Sequence, residues 1–294
     1  MNQIALLTGI LAREGAEALG WERGRPGGSV ARALLRPAAR RIAREFAACD
    51  EVFTTHALPD AARWALDHFS ARVEVAGRDL IPRRGAILLV ANHPGLTDAV
   101  ALIAALDRPD VRIVAADYPF LHAMRGLGPR FIFLGASGSS PLGWIRAASR
   151  DLRNGGVVLL FPAGRLEPDP AVRGPRGALL PWSESVDLIA RLAPETAIVP
   201  AAISGVLSGG AFAHPLTRIR RMPQDRQRVA TLLQMIDARY RGVTVRVAFG
   251  GPIVRSKANG VIPTLATCIR DLLGASAGWK PLSNRDLDPA TTAA

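Results

Sequence analysis

The apolar run Ala86-Ile87-Leu88-Leu89-Val90, the polar turn Ala91-Asn92-His93-Pro94-Gly95-Leu96-Thr97-Asp98 and a second apolar run over 99–106 follow one another without a break, and they constrain this chain more than any other stretch. A short uninterrupted apolar run suits a strand buried on both faces, and the longer run after the turn suits a helix. Parallel α/β sheets are built from such strand-turn-helix units, and they place their ligands at the carboxyl ends of the strands.

The spacing of His93 and Asp98 limits how they can meet. Five residues apart on a regular helix, two side chains diverge by about 140°, so His93 has to precede the helix. Pro94 biases His93 toward extended backbone, and Thr97 is expected to cap the helix and put Asp98 in its first turn. From there the carboxylate can reach back to one imidazole nitrogen, fix the tautomer and leave the other nitrogen as a general base. That is the orienting half of a catalytic triad without a protein nucleophile, so the attacking group would be a substrate hydroxyl or amine. The competing reading is a polar turn in which Asp98 caps the helix and His93 is a bystander.

Strand-like runs recur at 72–77, 111–116, 131–134, 157–161, 197–205 and 243–253, and helical patterns at 29–48, 59–69, 181–192 and 261–273. Helical connections between strands imply parallel pairing. The expected architecture is α/β, a mostly parallel central sheet flanked by helices over 71–280. A helical extension over 1–70, able to contact a membrane, precedes it, and a loose tail over 281–294 follows. Pro200 inside a strand is expected to mark an edge or a bulge and to shape a lipid-facing wall. The segments 135–140 and 218–228 read as loops, the second solvated or facing a membrane.

A hydrophobic content of 49% fits a chain with a substantial core. No stretch approaches the roughly 18 consecutive apolar residues of a membrane-spanning helix, and 4–12 is too short and lacks the basic leader of a signal peptide, so a cytoplasmic protein is expected. Cys49 and Cys268 form no Cys-x-x-Cys and read as two small buried thiols. The five histidines include no His-Glu-x-x-His, so metal catalysis has no support in the sequence.

The net charge of +12 is almost entirely arginine, with Lys257 and Lys280 the only lysines. It invites nucleic acid or an anionic surface as partner. No recognisable nucleic-acid module accompanies it, which leaves an anionic lipid surface or a solvated arginine bias. Within 29–48, Val30, Leu34, Leu35 and Ile42 can form one stripe, with Arg32, Arg36, Arg40 and Arg44 opposite. Such a helix can lie on an anionic membrane or pack its stripe on the rest of the protein.

Asn92-His93-Pro94-Gly95-Leu96-Thr97-Asp98 resembles the Asn-His-x4-Asp motif of the glycerolipid acyltransferase family, the one containing 1-acyl-glycerol-3-phosphate acyltransferases. Three further stretches resemble its later motifs in order. Gly126-Leu127-Gly128-Pro129-Arg130-Phe131-Ile132 matches the second, with Arg130 just before Phe131-Ile132 instead of shortly after. Phe161-Pro162-Ala163-Gly164-Arg165 is similar to the third, Phe-Pro-Glu-Gly, with Ala163 in place of the glutamate. The fourth is the apolar strand with Val199-Pro200. The resemblance spans about 73–253 and implies a glycerol-phosphate acyltransferase-like fold. It also implies a phospholipid-biosynthesis type of enzyme in which His93 deprotonates an acceptor hydroxyl and Asp98 orients His93. The acyl group would come from a thioester of coenzyme A or acyl carrier protein, with no metal or other cofactor. Substrate contacts would fall to Asn92, Arg130, Phe161, Pro162, Gly164 and Arg165. The acceptor would be of lysolipid or glycerol-phosphate type, met peripherally at the inner face of the cytoplasmic membrane. Ala163 removes a carboxylate that contacts the acceptor region in the family, which opens the choice to lysolipids other than monoacylglycerol phosphate.

Two rivals stand beside this reading. A lipid hydrolase would need a nucleophile, and no Gly-x-Ser-x-Gly elbow is present. A non-catalytic lipid-binding, membrane-associated protein would need neither His93 nor Asp98.

Overall fold

The structure, a computed structural model, describes residues 2–21, 26–70, 72–95, 97–135, 142–174, 179–253, 260–275 and 280–282. Three helices come first: α1 (Gln3–Ala18), α2 (Gly28–Thr55) and α3 (Leu58–Phe69). The sheet is then built from β1 (Arg72–Ala76), β2 (Ile87–Ala91), β3 (Val111–Ala116), β4 (Phe131–Leu134), β5 (Val157–Leu160), β6 (Ala197–Ser204), β7 (Thr244–Phe249) and β8 (Lys280–Leu282). Helices α4 (Asp98–Leu106), α5 (Pro119–Ala123), α6 (Gly143–Arg153), α7 (Pro170–Arg173), α8 (Ser185–Leu192), α9 (Gly209–Ala213), α10 (Pro223–Ile236) and α11 (Ile262–Gly274) connect or follow these strands.

The eight strands form one sheet in the order β4-β3-β5-β2-β6-β7-β1-β8. Pairing is parallel except between β6 and β7 and between β1 and β8. The β6–β7 reversal was not expected; the long excursion through α9 and α10 between them brings β7 back in the opposite sense. The segment expected as a tail begins instead with β8, whose Leu282 pairs with Val73. Residues 283–294, like 136–140 of the expected loop, lie outside the described residues.

Strand alternation divides the core. Ile87, Leu89 and Ala91 of β2 face a cluster that includes Leu7, Ile42, Phe46, Leu66 and Leu102, from α1 to α4. Leu88 and Val90 face Ile145, Leu152, Val186, Ile189 and Leu265, from α6, α8 and α11. Burial on both sides, with β5 and β6 as parallel neighbours, is why β2 reads as an unbroken apolar run. The helical extension is welded to this core: Phe46 of α2 stacks on Phe69 of α3 at 5.5 Å and meets Phe120 edge-on at 4.9 Å.

Two expectations are corrected here. Pro200 is buried in a central strand, beside Val90 in register, at the point where β7 stops pairing and Gly250 donates its N–H to the Pro200 carbonyl at 2.9 Å. The proline thus marks the end of a pairing, and its side chain faces Gly250 and Cys268 instead of a lipid wall. The basic stretch 218–228 is helical from Pro223 onward. Among the described residues no helix is long and apolar enough to cross a membrane.

Candidate active site

The crossover from β2 through α4 runs to β3 on one side of the sheet, and the crossover from β5 through α8 runs to β6 on the other. Adjacent strands whose connections leave in opposite directions open a crevice at their carboxyl ends. His93 follows β2 and Phe161 follows β5, so both stand at that crevice, with their rings stacked at 4.4 Å and 24°.

Asp98 opens α4 and returns to the turn that precedes it. Its Oδ2 lies 2.6 Å from His93 Nδ1 and accepts the Gly95 N–H at 3.0 Å, while Oδ1 accepts the Ala99 N–H at 2.6 Å. The carboxylate is 2% exposed and the imidazole 29%. Thr97 holds the N-cap position, but its hydroxyl makes no capping bond and is buried without a partner. Asp98 therefore does the capping that was expected of Thr97, in addition to holding His93. With Nδ1–H donated to Asp98, Nε2 is left with its lone pair and has no partner among the described residues. Burial pulls the imidazole pKa down, but the Asp98 charge and hydrogen bond, with a further push from Glu167, outweigh it and hold His93 above its ordinary value of 6.5.

Asn92 is fully buried, and its side chain spans to β6, donating to the Ile203 carbonyl and accepting the Ile203 N–H, both at 2.8 Å. It fixes where the His93 turn begins and touches no open surface, so the expected substrate contact becomes a positioning one. Arg130 does not reach the site. Phe131, Ile113, Leu159 and Leu89 share one level across β4, β3, β5 and β2. Arg130 precedes that level by one residue and His93 follows it by four, which separates them by roughly 16 Å along the strands and about 14 Å across them. The Arg130 guanidinium instead bonds the Pro109 carbonyl at 2.9 Å.

The loop after β5 supplies the rest. Pro162 is buried, and its carbonyl accepts the Ser183 N–H at 2.9 Å. Gly164 sits at φ +64°, in the left-handed region. Arg165 is exposed and makes no hydrogen bond or ion pair among the described residues. Beyond it the chain dives inward at two carboxylates that sequence reasoning missed. Glu167 accepts the His93 N–H at 2.9 Å, the Leu180 N–H at 2.8 Å and the Trp182 indole N–H at 3.1 Å, and its own N–H donates to the His93 carbonyl at 2.7 Å. Burial pushes its carboxyl pKa up, against the lowering effect of those donors. Asp169 receives N–H groups from Ala171, Gly205 and Leu207 at 2.8 to 2.9 Å, and burial raises its pKa as well. Gln227 of α10 completes the frame, donating to the carbonyls of Pro94 at 2.6 Å and Glu167 at 2.9 Å. Asp169-Pro170 carried a legible signal, a capping residue followed by proline at a helix start. Gln227 carried none.

A small cavity of about 20 Å³ behind the turn touches Pro94, Gly95, Thr97, Val206, Thr231 and Gln234; it has room for about one water and none for an acyl chain. Among the described residues no group of three or more His, Cys, Asp and Glu side chains converges to hold a metal ion.

A buried carboxylate holds a partly exposed histidine at the carboxyl edge of an α/β sheet, an arrangement able to act as a general base on a substrate nucleophile. Residues 72–204, which span β1 to β6 and include Asn92, His93, Asp98, Phe161, Arg165, Glu167 and Asp169, match the Acyltransferase family model. Over those residues the chain is similar to the acyltransferase family. A curated relative, the lyso-glycine lipid O-acyltransferase of Bacteroides thetaiotaomicron, is 26% identical over 194 residues, 64% of this chain and 68% of that protein. Among solved structures, the chain is similar to the 1-acyl-sn-glycerophosphate (LPA) acyltransferase PlsC of Thermotoga maritima at 17% identity, with 80% of this chain and 81% of that one covered and a TM-score of 0.48.

Proposed function

We propose that this acyltransferase moves a fatty acyl group from a thioester of coenzyme A or acyl carrier protein to the hydroxyl of an anionic lysolipid. The observation that carries the reading is the His93–Asp98 pair with Nε2 unengaged at the crevice. The acceptor O–H gives its proton to Nε2 as its oxygen attacks the thioester carbonyl. The tetrahedral intermediate then expels the thiolate, which takes the proton back from the imidazolium. Ester bond formed and thioester bond broken, His93 returns to its starting state. Asp98 keeps the Nδ1–H tautomer throughout and stabilises the transient positive charge.

The acceptor class is argued from the loop after β5. Ala163 offers no carboxylate to an incoming headgroup, and the Arg165 side chain, exposed and uncommitted among the described residues, can take a carboxylate or phosphate through its planar fork. The curated relative's lyso-glycine lipid falls within that chemistry. The substrate is met at the cytoplasmic face of the membrane, where the arginine-rich extension faces anionic lipid.

The test is transfer of a labelled long-chain acyl group from each donor to glycerol 3-phosphate, lysophosphatidic acid, other lysophospholipids and a lyso-aminolipid. Transfer to a lysolipid that disappears in His93→Ala is the expected result. Transfer undiminished in His93→Ala would overturn the mechanism, and no transfer from either donor by folded protein would favour a lipid-binding role.

A further inference from the structure

The membrane contact proposed above leaves open how the bilayer reaches the active site. Of the eleven large apolar side chains exposed among the described residues, six lie on two short stretches far apart in sequence: Trp21, Val30 and Leu34, and Leu216, Ile219 and Met222. Val30 is 60% exposed, Leu34 77%, Ile219 51% and Met222 55%. Val30 and Leu34 are the half of the α2 stripe that does not pack, whereas Ile42 further along the same helix is in the core.

The fold brings these stretches to one end of the molecule. Leu35 of α2 and Leu232 of α10 both approach Gly15 of α1. Further down, Leu11, Ile42, Met235 and Ile236 share one pocket wall. Thus α10 runs antiparallel to α1, and its amino end, with the 215–222 segment before it, points the same way as the turn between α1 and α2. The two meet there: Arg220 lies so close over Gly20 that a Cβ on that glycine would come within 2.8 Å of Nη1. Charge is one-sided along both stretches. Residues 21–44 hold seven arginines against Glu22 alone, and 215–228 hold five arginines against Asp225 alone, which is itself paired with Arg220 at 3.0 Å.

The geometry points to a composite docking face in which 215–222 forms a second leg beside the α1–α2 turn, and its occupant is an anionic lipid bilayer. Exposed Leu, Ile, Met, Val and Trp ringed by arginine is the composition that seats at the boundary between anionic headgroups and acyl chains. This inference rests on the membrane contact already proposed and adds a route from it. Met222 precedes Gln227 by five residues, roughly 8 Å along the helix axis, and Gln227 holds the Pro94 carbonyl beside His93. A lysolipid seated at the second leg has its headgroup close to the catalytic turn without leaving the bilayer.

The test is co-sedimentation of the full chain with vesicles of phosphatidylcholine alone and of phosphatidylcholine mixed with phosphatidylglycerol. It compares wild type, Ile219→Ser/Met222→Ser, Val30→Ser/Leu34→Ser, and Leu192→Ser as an exposed apolar control on α8. Binding to the anionic vesicles should fall about tenfold in each double variant and not in the control, with turnover of a short-chain soluble acceptor unchanged. Wild-type binding in Ile219→Ser/Met222→Ser, with loss in Val30→Ser/Leu34→Ser, would overturn the second leg and keep the extension as the sole contact. No wild-type binding to either vesicle would overturn the membrane contact itself, while the transferase assay would still read the chemistry separately. A lipid-free dimer in wild type that the 219/222 substitutions dissociate would assign the face to a second copy of this chain instead.

Discussion

Asp98 carries two duties with one carboxylate, capping α4 and orienting His93, and the two can be separated by substitution. Asp98→Asn keeps an oxygen for the Ala99 N–H but removes the charge opposite the imidazole and the acceptor of the Gly95 N–H, so acyl transfer should fall by about a hundredfold or more while the lost acceptor costs about 1 to 3 kcal/mol of stability. The pH profile gives a sharper reading. The base form of His93 is neutral, so kcat/KM rises with pH through its pKa, and that limb should lie above pH 6.5 because Asp98 outweighs the effect of burial. In Asp98→Asn burial meets only the weaker push of Glu167, and the residual activity should titrate at lower pH. An unmoved limb would mean that another group carries the base role. Much of this pair was legible in the sequence, because a five-residue spacing across a Pro-Gly turn admits few geometries. Arg130 was misplaced because a motif read along the chain does not say at which end of a strand an arginine lies, and sheet register does.

At the scale of elements, the turn after β2 is held by a loop whose decisive residues are carboxylates without exposed atoms. Glu167→Ala would leave the N–H groups of His93, Leu180 and Trp182 buried without an acceptor, a loss of about 3 kcal/mol or more. The expected outcome is a melting temperature lower by several degrees and a fall in kcat larger than any rise in KM, since Glu167 holds the His93 backbone and touches no substrate. Near-normal kcat in that variant would show that the turn keeps its shape unaided. A second tight joint lies at Gly126, where a Cβ would come within 2.4 Å of the Asp50 carbonyl and 2.8 Å of the Thr54 N. Asp50 also takes the N–H groups of Arg125 and Gly126 at 2.6 and 2.9 Å. Both sides of that contact are backbone and have little room to yield, so Gly126→Ala should destabilise the protein by about 2 kcal/mol or more, visible in a melting curve. Most strands could be placed from apolar runs, to within a few residues at their ends. Their pairing could not: the β6–β7 reversal depends on what the α9–α10 excursion packs against, and the reach of Gln227 to Pro94 depends on a tertiary approach that no local pattern encodes.

Across the whole molecule, the arginine-rich extension looks detachable in sequence and is not detachable in space. Leu7, Ile10, Ile42, Ala43, Phe46 and Phe53 join the same core as Ile87, Leu89 and Leu102. The hairpin of α1 and α2 is also tied to the loop after α5 through Asp50, which accepts from Gln3 at 2.6 Å as well as from that loop. If the extension were a separate domain, its loss would leave the sheet standing. The shared core predicts instead a single melting transition for hairpin and sheet together. Phe46→Ala should lower it by the equivalent of about 3 to 4 kcal/mol, because the ring is buried against Phe69 and Phe120 at the joint. Calorimetry on wild type and Phe46→Ala is the measurement: one transition, shifted as a whole, is the expected result, and a low-temperature transition that moves alone while the second stays put would mean independent domains. The physical consequence of the welded arrangement is that Val30 and Leu34 of α2 and the amino end of α10 are tied through the shared core to the strand that carries His93. A membrane-bound orientation would then fix where the catalytic crevice stands above the lipid.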